Sequence, residues 1–392
     1  YCCSYSKCDI ICLGVKMDEL RERLQDFYEA QLGFINTNNK KIRRGITTGT
    51  VATAVSKAGA MFICDGKKRD YINIKTTGGK SLDVLIEKYE EKDDSIVVYA
   101  RKYAGDDIDA TNLALIYARV KKRDDSKINI KGGEGVGIVT RDGLDIDVGQ
   151  SAINPKPRER IIKEIQSFTT FGFDITICVK NGEVIAKKTF NERLGIVKGI
   201  SIIGTTGIVE PMSIEALKSS IEKEIKVKSS EGDKIVLSFG NMGEKALNKL
   251  GISSDKICIC SNYVGDTLEY ISNCDNVTDV LIAGNFAKAV KLAGGIFNTH
   301  SHVADAKNEI IAANLALLNA PYELIKSVME ANTSRQITQY ISSNNFERVY
   351  DVLARKAEEK CDIFIKHGFK NHILMFDYDD EMLNSVDISL FV

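Results

Sequence analysis

From Ser213 onward the sequence alternates between helical and strand periodicities in a way that leaves few folds open. A helical stretch runs to Lys226, then the apolar strand KIVLSF (Lys234 to Phe239), the loop GNMG and a helix from Glu244 to Leu250. The strand KICIC, a helix, the strand DVLIAG and another helix follow. Apolar strands separated by single helices need cover on both faces, which each crossover helix supplies. The expected fold of this half is a three-layer, Rossmann-like α/β domain with a parallel sheet, whose ligands sit at the carboxyl ends of strands. Gly240 and Gly243 lie at such an end but fall short of a full G-x-G-x-x-G. At the end of the second strand stands Ser261-Asn262, where a dinucleotide enzyme carries an acid for ribose, and this argues against NAD.

The first half has a different rhythm. Met17 to Leu32 is an amphipathic helix with Leu20, Leu24 and Phe27 on one side. Lys40-Lys41-Ile42-Arg43-Arg44 leads into GITTGT (Gly45 to Thr50) and a small-residue helix from Val51 to Ile63. Glycines and threonines at a helix start expose N–H groups and hydroxyls that suit phosphate or carboxylate, although a plain capped turn has the same composition. Residues 70 to 104 alternate as strands, with a hairpin turn at Thr77-Gly78-Gly79-Lys80. AGDDIDAT (Ala104 to Thr111) carries Asp106, Asp107 and Asp109, a cation ligand set or a hydrogen-bonding turn. Asn154-Pro155 and Lys156-Pro157 open a helix from Arg158 to Thr169, and Asn181-Gly182 predicts a hairpin between DITICVK and EVIAKKTF. The pattern is α+β. TTG recurs at Thr47, Thr76 and Thr205 with unrelated flanks, so it does not mark a repeat.

Two of the four histidines fall in the loop Asn298-Thr299-His300-Ser301-His302, after a short helix (Phe286 to Leu292) and the pair Gly294-Gly295. A second helix is expected from near Val303, with Asp305 in its first turn, where a carboxylate suits the helix dipole. A strand end, two glycines and a helix start around imidazoles describe either a site or an ordinary loop capped by Ser301.

Composition narrows the partners. Lysine plus arginine total 53 against 54 acidic residues, so no overall field favours nucleic acid or a membrane surface. No apolar run approaches the roughly 18 residues that span a bilayer, and a cytoplasmic location is expected. Of the ten cysteines, Cys64, Cys178, Cys258, Cys260, Cys274 and Cys361 are scattered and read as reduced, mostly buried thiols. Cys2, Cys3, Cys8 and Cys12 crowd the start without metal-ligand spacing, and residues 1–16 are expected to be an extension ahead of the helix that Met17 opens.

Several long motifs together resemble the CbiD family of corrin-ring methyltransferases. They are RRGITTGT (Arg43 to Thr50), AGDDIDAT, GVGIVTRDGLDIDVGQSAINPKPR (Gly135 to Arg158), FNERLGIVKGISIIGTTGIVEPMS (Phe190 to Ser213) and GIFNTHSHVADAK (Gly295 to Lys307). Val51 and His302 depart from the family, where cysteine and arginine are commoner. The resemblance implies an α+β domain interrupted by the α/β domain. Its boundaries would be 1–39 for the extension and first helix, 40–212 for the tetrapyrrole side, 213–318 for the α/β domain, and 319–392 for helices and a strand completing the α+β domain. It implies transfer of a methyl group from S-adenosylmethionine to C-1 of cobalt-precorrin-5B, giving cobalt-precorrin-6A, in anaerobic cobalamin biosynthesis. His300 is then the candidate base. Arg43, Arg44, Thr47, Thr48, Gly49, Asp106, Asp107, Asn154, Arg158, Lys291, Asn298, Thr299 and Ser301 are the candidate substrate contacts. Thr205, Thr206, Gly207, Gly240, Asn241, Gly243, Asn262 and Gly284 are the candidate donor contacts. Cobalt arrives chelated in the tetrapyrrole, so no protein-bound metal is expected. The implied partner is that small molecule, with neither nucleic acid nor membrane, and a homo-oligomer stays open. The alternatives are a nicotinamide-dependent reductase of a tetrapyrrole and a non-catalytic carrier of corrinoid intermediates.

Overall fold

The computed structural model describes residues 17–37, 40–366 and 368–392, so the cluster of cysteines at the start lies outside the described residues. The chain divides into two compact units, one ending at Ser213 and the other running from Ile214 to Val392.

In the first unit, helix α1 (Met17–Leu32) precedes α2 (Thr48–Asp65). A mixed sheet follows, built from β1 (Lys88–Lys92), β2 (Ser95–Arg101), β3 (Leu115–Lys122), β4 (Ile128–Gly132) and, after helix α3 (Pro155–Gln166), β5 (Phe173–Val179). Its spatial order is β1-β2-β3-β5-β4, antiparallel except for the β5–β4 pair. The small residues of α2 explain its close approach to this sheet: Val51, Ala54, Val55 and Ala58 are buried, and a methyl at Gly59 would come within 2.6 Å of Val120. Tyr71–Lys75 and Ser81–Leu85 form the expected hairpin.

No hairpin forms at Asn181-Gly182; a one-turn helix, Gly182–Ala186, follows instead. The reason lies in β5, whose two edges are already taken by β3 and β4, so no ladder is open to a returning strand.

The second unit begins with α4 (Ile214–Glu231) and continues as β6 (Lys234–Ser238), α5 (Asn241–Lys249), β7 (Ile257–Ile259), α6 (Val264–Ser272), β8 (Asp279–Asn285) and α7 (Phe286–Ala293). Helices α8 (Lys307–Leu317), α9 (Tyr322–Glu330), α10 (Ser334–Ser343) and α11 (Arg348–Phe364) lead to the last strand, β9 (Lys370–Phe376). The four strands form a wholly parallel sheet in the order β7-β6-β8-β9. Period-2 alternation splits their side chains between two cores: Ile235, Leu237, Val280, Ile282, Ile373 and Met375 face one. Val236, Leu281, Ala283, Leu374 and Phe376 face the other. Cys258 and Cys260 share one face and are buried free thiols, as their spacing predicts.

Two expectations change here. Residues 319–392 do not complete the first unit: β9 pairs in register with β8, from Lys370 opposite Asp279 to Phe376 opposite Asn285. A strand reading HILMF is apolar on both faces, and the free edge of a doubly covered parallel sheet buries both. The α/β unit is therefore continuous to Val392 and interrupts nothing. The helix expected from Val303 starts four residues later, at Lys307, because the His300 carbonyl accepts the Val303 and Ala304 N–H groups in a separate turn. Asp305 thus precedes the helix instead of lying in its first turn.

At the amino edge of this sheet one carboxylate ties three strands. Asp279 of β8 accepts from Lys234 of β6 at 2.6 Å and lies 3.0 Å from His372 Nε2 of β9. Burial works to raise its pKa, but the hydrogen bonds from Lys234, His372 and Thr278 outweigh it and hold the carboxyl below the usual aspartate range. A lowered folded pKa stabilises the fold fully above about pH 4, and that contribution is lost as pH falls through the folded value. Asp279→Asn is expected to cost about 1–3 kcal/mol at pH 7. In chemical-unfolding curves the gap from wild type should narrow steadily below about pH 4; a gap independent of pH would contradict this.

Among the described residues no helix is long and apolar enough to cross a membrane.

Candidate functional site

In a sheet ordered β7-β6-β8-β9 the chain leaves β6 toward one side and, after β7, returns to the other, so a crevice opens at the carboxyl ends of β6 and β8. Five of the predicted donor contacts belong to this unit. Gly240 lies between β6 and α5, Asn241 opens α5, Asn262 follows β7, and Gly284 is the penultimate residue of β8. Gly243 and Gly284 let the two strand ends touch: a Cβ on Gly243 would fall 2.4 Å from Ser238 Oγ and 3.1 Å from the Gly284 Cα. Gly284 has φ +155°, and a Cβ there would meet the Phe239 ring at 2.5 Å. Asn285 caps α7, its Oδ1 accepting the Ala287 N–H at 3.0 Å, while its buried Nδ2 has no acceptor among the described residues. A ligand atom at this edge would complete it.

The same unit holds a cleft of about 430 Å³ lined by Asn262, Lys288, Lys291, Thr299, His300, Ser301, Asp305, Lys307 and Ser334. One side is α7, which carries Lys288 and Lys291 a turn apart. The other is the histidine loop, fixed from below. Lys291 is 4% exposed, and its ammonium donates to the carbonyls of Thr299 at 3.1 Å and Ala304 at 2.7 Å. Burial lowers its pKa, with Lys307 adding to the effect and Asp305 opposing it. Thr299 donates its N–H to the Asn262 carbonyl at 3.0 Å, and Asn298 Oδ1 accepts the His300 N–H at 3.1 Å. Lys291, Asn298 and Thr299 therefore shape the loop, leaving His300 and Ser301 exposed at its surface. His300 Nδ1 accepts the His302 N–H at 3.1 Å. That assigns the proton of the neutral ring to Nε2, so the exposed ring presents a donor.

The remaining predicted residues belong to the first unit. There the three TTG segments meet: Thr47 donates its N–H to the Gly207 carbonyl, and the Thr77 N–H and hydroxyl go to the carbonyls of Thr206 and Thr205. Thr47 caps α2 by accepting from Thr50 N–H at 3.1 Å, and Thr48 is buried with its hydroxyl donated to the Ser201 carbonyl. Gly49 gives its N–H to Ile203 at 2.9 Å, and its lack of a side chain admits Pro157. This helix start spends its donors on its own fold. The basic stretch is likewise engaged: Arg43 pairs with Glu29 at 2.9 Å and Asp106 at 3.0 Å, and Arg44 with Glu210 at 3.3 Å. Asp107 accepts the Met212 N–H at 3.2 Å, and Asp109 pairs with Lys102, so the acidic turn reads as hydrogen bonding. Arg158 donates to the carbonyls of Ile153 and Ile130, and Asn154 precedes α3 without a side-chain cap. Thr205, Thr206 and Gly207 thus lie in a different unit from the glycines of β6 and β8.

The CbiD model matches residues 35–211, and the model of the CbiD C-terminal domain matches residues 298–387. A Clostridium perfringens protein named cobalt-precorrin-5B C(1)-methyltransferase is 41% identical over 89% of this chain and 95% of its own. The chain belongs to the CbiD family. An Alkaliphilus metalliredigens protein of the same name is 44% identical, covering 84% of this chain and 88% of its own. The crystal structure of a cobalamin biosynthesis protein (cbiD) from Archaeoglobus fulgidus is 26% identical, covers 72% of this chain and 91% of that one, and superposes with a TM-score of 0.39.

Lys288, Ser334 and Asn285 enter this CbiD cleft or its edge without having been singled out in the sequence. For Lys288 a signal existed: Asn285, Lys288 and Lys291 recur at i, i+3, i+6 along an otherwise apolar helix, a polar face in an amphipathic element. Ser334 reaches the cleft from α10, and no local pattern announces that.

Proposed function

We propose that this chain is an S-adenosylmethionine-dependent methyltransferase that methylates C-1 of cobalt-precorrin-5B, giving cobalt-precorrin-6A. The observation that carries the reading is identity of 41% to a protein of that name across 89% of the chain. The crevice between β6 and β8 supports it, since that edge of a doubly wound sheet is where such folds take nucleotide-like ligands. A Rossmann-like role for the second unit follows, with the adenosyl group against Gly240, Asn241, Gly243 and Gly284, and Asn262 at the next strand end.

In the reaction the bond from methyl to sulfur breaks, a carbon–carbon bond forms at C-1, and one proton leaves the ring system. The donor, when bound, supplies a methyl group already activated on sulfonium. The protein's task is to hold acceptor carbon, methyl and sulfur in line and to keep water out. Gly243 and Gly284 allow backbone to approach the donor closely, and Lys291 fixes the loop that carries His300.

His300 serves this chemistry as a hydrogen-bond donor through Nε2, because Nδ1 is occupied by the His302 N–H. His300→Ala is expected to lower kcat/KM by roughly tenfold, the worth of one hydrogen bond, and to leave the shape of the pH profile unchanged. Loss of an acid limb near neutrality in the variant would restore His300 as the base.

Calorimetric titration with S-adenosylmethionine, S-adenosylhomocysteine and NADH tests the reading, followed by anaerobic turnover of cobalt-precorrin-5B. Binding of both sulfur compounds and gain of one methyl by the tetrapyrrole are the expected results. NADH binding alone would turn the assignment to a reductase, and tetrapyrrole binding without turnover would turn it to a carrier.

A further inference from the structure

Three lysines and one aspartate line the cleft of the second unit, three positive charges less one negative, an excess of two. Two of these lysines have visible duties. Lys291 clamps the carbonyls of Thr299 and Ala304, and Lys307 pairs with Asp305 at 3.4 Å. Lys288 has none: among the described residues, no carboxylate lies within ion-pair distance of its ammonium and no hydrogen bond holds it. It is half-buried on α7, one turn beyond Asn285 and the carboxyl edge of β8. Burial pushes its pKa down, the nearby Cys260 thiol opposes this, and the neighbouring Lys291 adds to the depression. A half-buried cation with a like-charged neighbour and no counter-charge is costly to keep, and natural sites retain one where a ligand completes it.

Opposite stands the start of α10, a ten-residue helix whose Thr333 side chain already caps Gln336, leaving the first-turn Ser334 against the cleft. Both walls favour a small anion. Divalent cations are disfavoured by the excess positive charge.

We infer that this cleft binds a carboxylate and that Lys288 is the residue that pairs with it. The inference rests on the methyltransferase reading, which supplies two sources of that group: the amino-acid carboxylate of the methyl donor, and the acetate and propionate side chains of the tetrapyrrole. Lys288 is then a specificity-determining contact of the second unit, additional to the glycines that receive the adenosyl group.

The test compares wild type with Lys288→Met and Lys288→Arg, using S-adenosylhomocysteine, its decarboxylated analogue and cobalt-precorrin-5B. Melting temperature and far-UV circular dichroism establish that the variants are folded. A charge-assisted pair of this kind is worth about 10- to 100-fold in affinity. If the donor's carboxylate is held, Lys288→Met weakens S-adenosylhomocysteine by that factor, leaves the decarboxylated analogue unchanged, and Lys288→Arg recovers most of the loss. If a tetrapyrrole side chain is held, the same variant raises KM for cobalt-precorrin-5B by that factor while S-adenosylhomocysteine affinity stays put. A folded Lys288→Met protein with both quantities within twofold of wild type overturns the inference and leaves the methyltransferase assignment standing. A wild-type protein that neither binds S-adenosylhomocysteine nor methylates cobalt-precorrin-5B overturns the assignment and the inference together.

Discussion

Gly243→Asp is expected to weaken S-adenosylhomocysteine binding by roughly a hundredfold or more, the loss that follows when two strand ends forming a ligand edge are forced apart. The expectation comes from distances. A Cβ at residue 243 would sit 2.4 Å from Ser238 Oγ, 3.1 Å from the Gly284 Cα and 3.3 Å from the Ala283 carbonyl. Two of these three neighbours are backbone of β8, so rotating a side chain cannot relieve the crowding. The third, Ser238 Oγ, donates to the Gly240 carbonyl at 2.8 Å and helps hold the turn into α5. A carboxylate beyond that Cβ adds bulk to a crevice that we assign to the donor. Gly243→Ala carries the same Cβ without the charge and is expected to lose about tenfold. Calorimetry on both variants, with melting temperatures as a fold control, is the measurement. A folded Gly243→Asp protein with wild-type affinity would move the donor away from the β6–β8 edge.

Gly199→Ala is expected to destabilise the first unit by roughly 3 kcal/mol or more, at the upper end for a single added methyl. Three glycines converge there. Cβ atoms on Gly182 and Gly199 would fall 2.1 Å and 2.3 Å from the Gly135 carbonyl oxygen, and one on Gly135 itself, at φ +71°, would fall 2.0 Å from the Val179 oxygen. The Gly135 oxygen also accepts the Ile200 N–H at 3.0 Å, and Gly137 donates to the Ile200 carbonyl at 2.9 Å. The methyl therefore meets main chain that is already hydrogen-bonded on both sides. Gly78→Ala, where nothing lies within 4 Å, is the matched control, with an expected change below about 0.5 kcal/mol. Hydrogen exchange at the amides of Gly137 and Ile200 reads the effect, since 3 kcal/mol corresponds to about a hundredfold loss of protection. Protection within a few-fold of wild type would show that the junction can open without cost.

Legibility in the sequence followed the range of the forces involved. The α/β alternation after Ser213 is local, period 2 against period 3.6, and every strand and helix it implied is present. Helix α1 begins and ends at the residues its apolar spacing marks. The small-residue helix after GITTGT packs as closely as its composition demands. The failures share a cause. Asn181-Gly182 carries a hairpin signal, yet a hairpin needs a vacant sheet edge, and vacancy is a property of strands far away in the chain. The final strand reads as apolar on both faces, but which sheet receives it depends on which edge is free. In the acidic turn and the threonine loop, donors and acceptors can be counted locally, whereas the partners they take within the fold cannot.

The site divides in the same way. The sequence by itself placed Gly240, Gly243, Asn262 and Gly284 at strand ends, marked the histidine loop and, through long motifs, pointed to the family. These are statements about order along the chain, and local periodicity and motif fix order. Only the tertiary structure decided that Lys291 is a clamp, that His300 Nδ1 is occupied, and that β9 closes the parallel sheet. It alone left Lys288 without a counter-charge and brought Ser334 across from a helix some forty residues away. Pairing between charges is set by distance in space, which the sequence does not carry. Folding settles which cations are neutralised within the protein and which remain for a ligand.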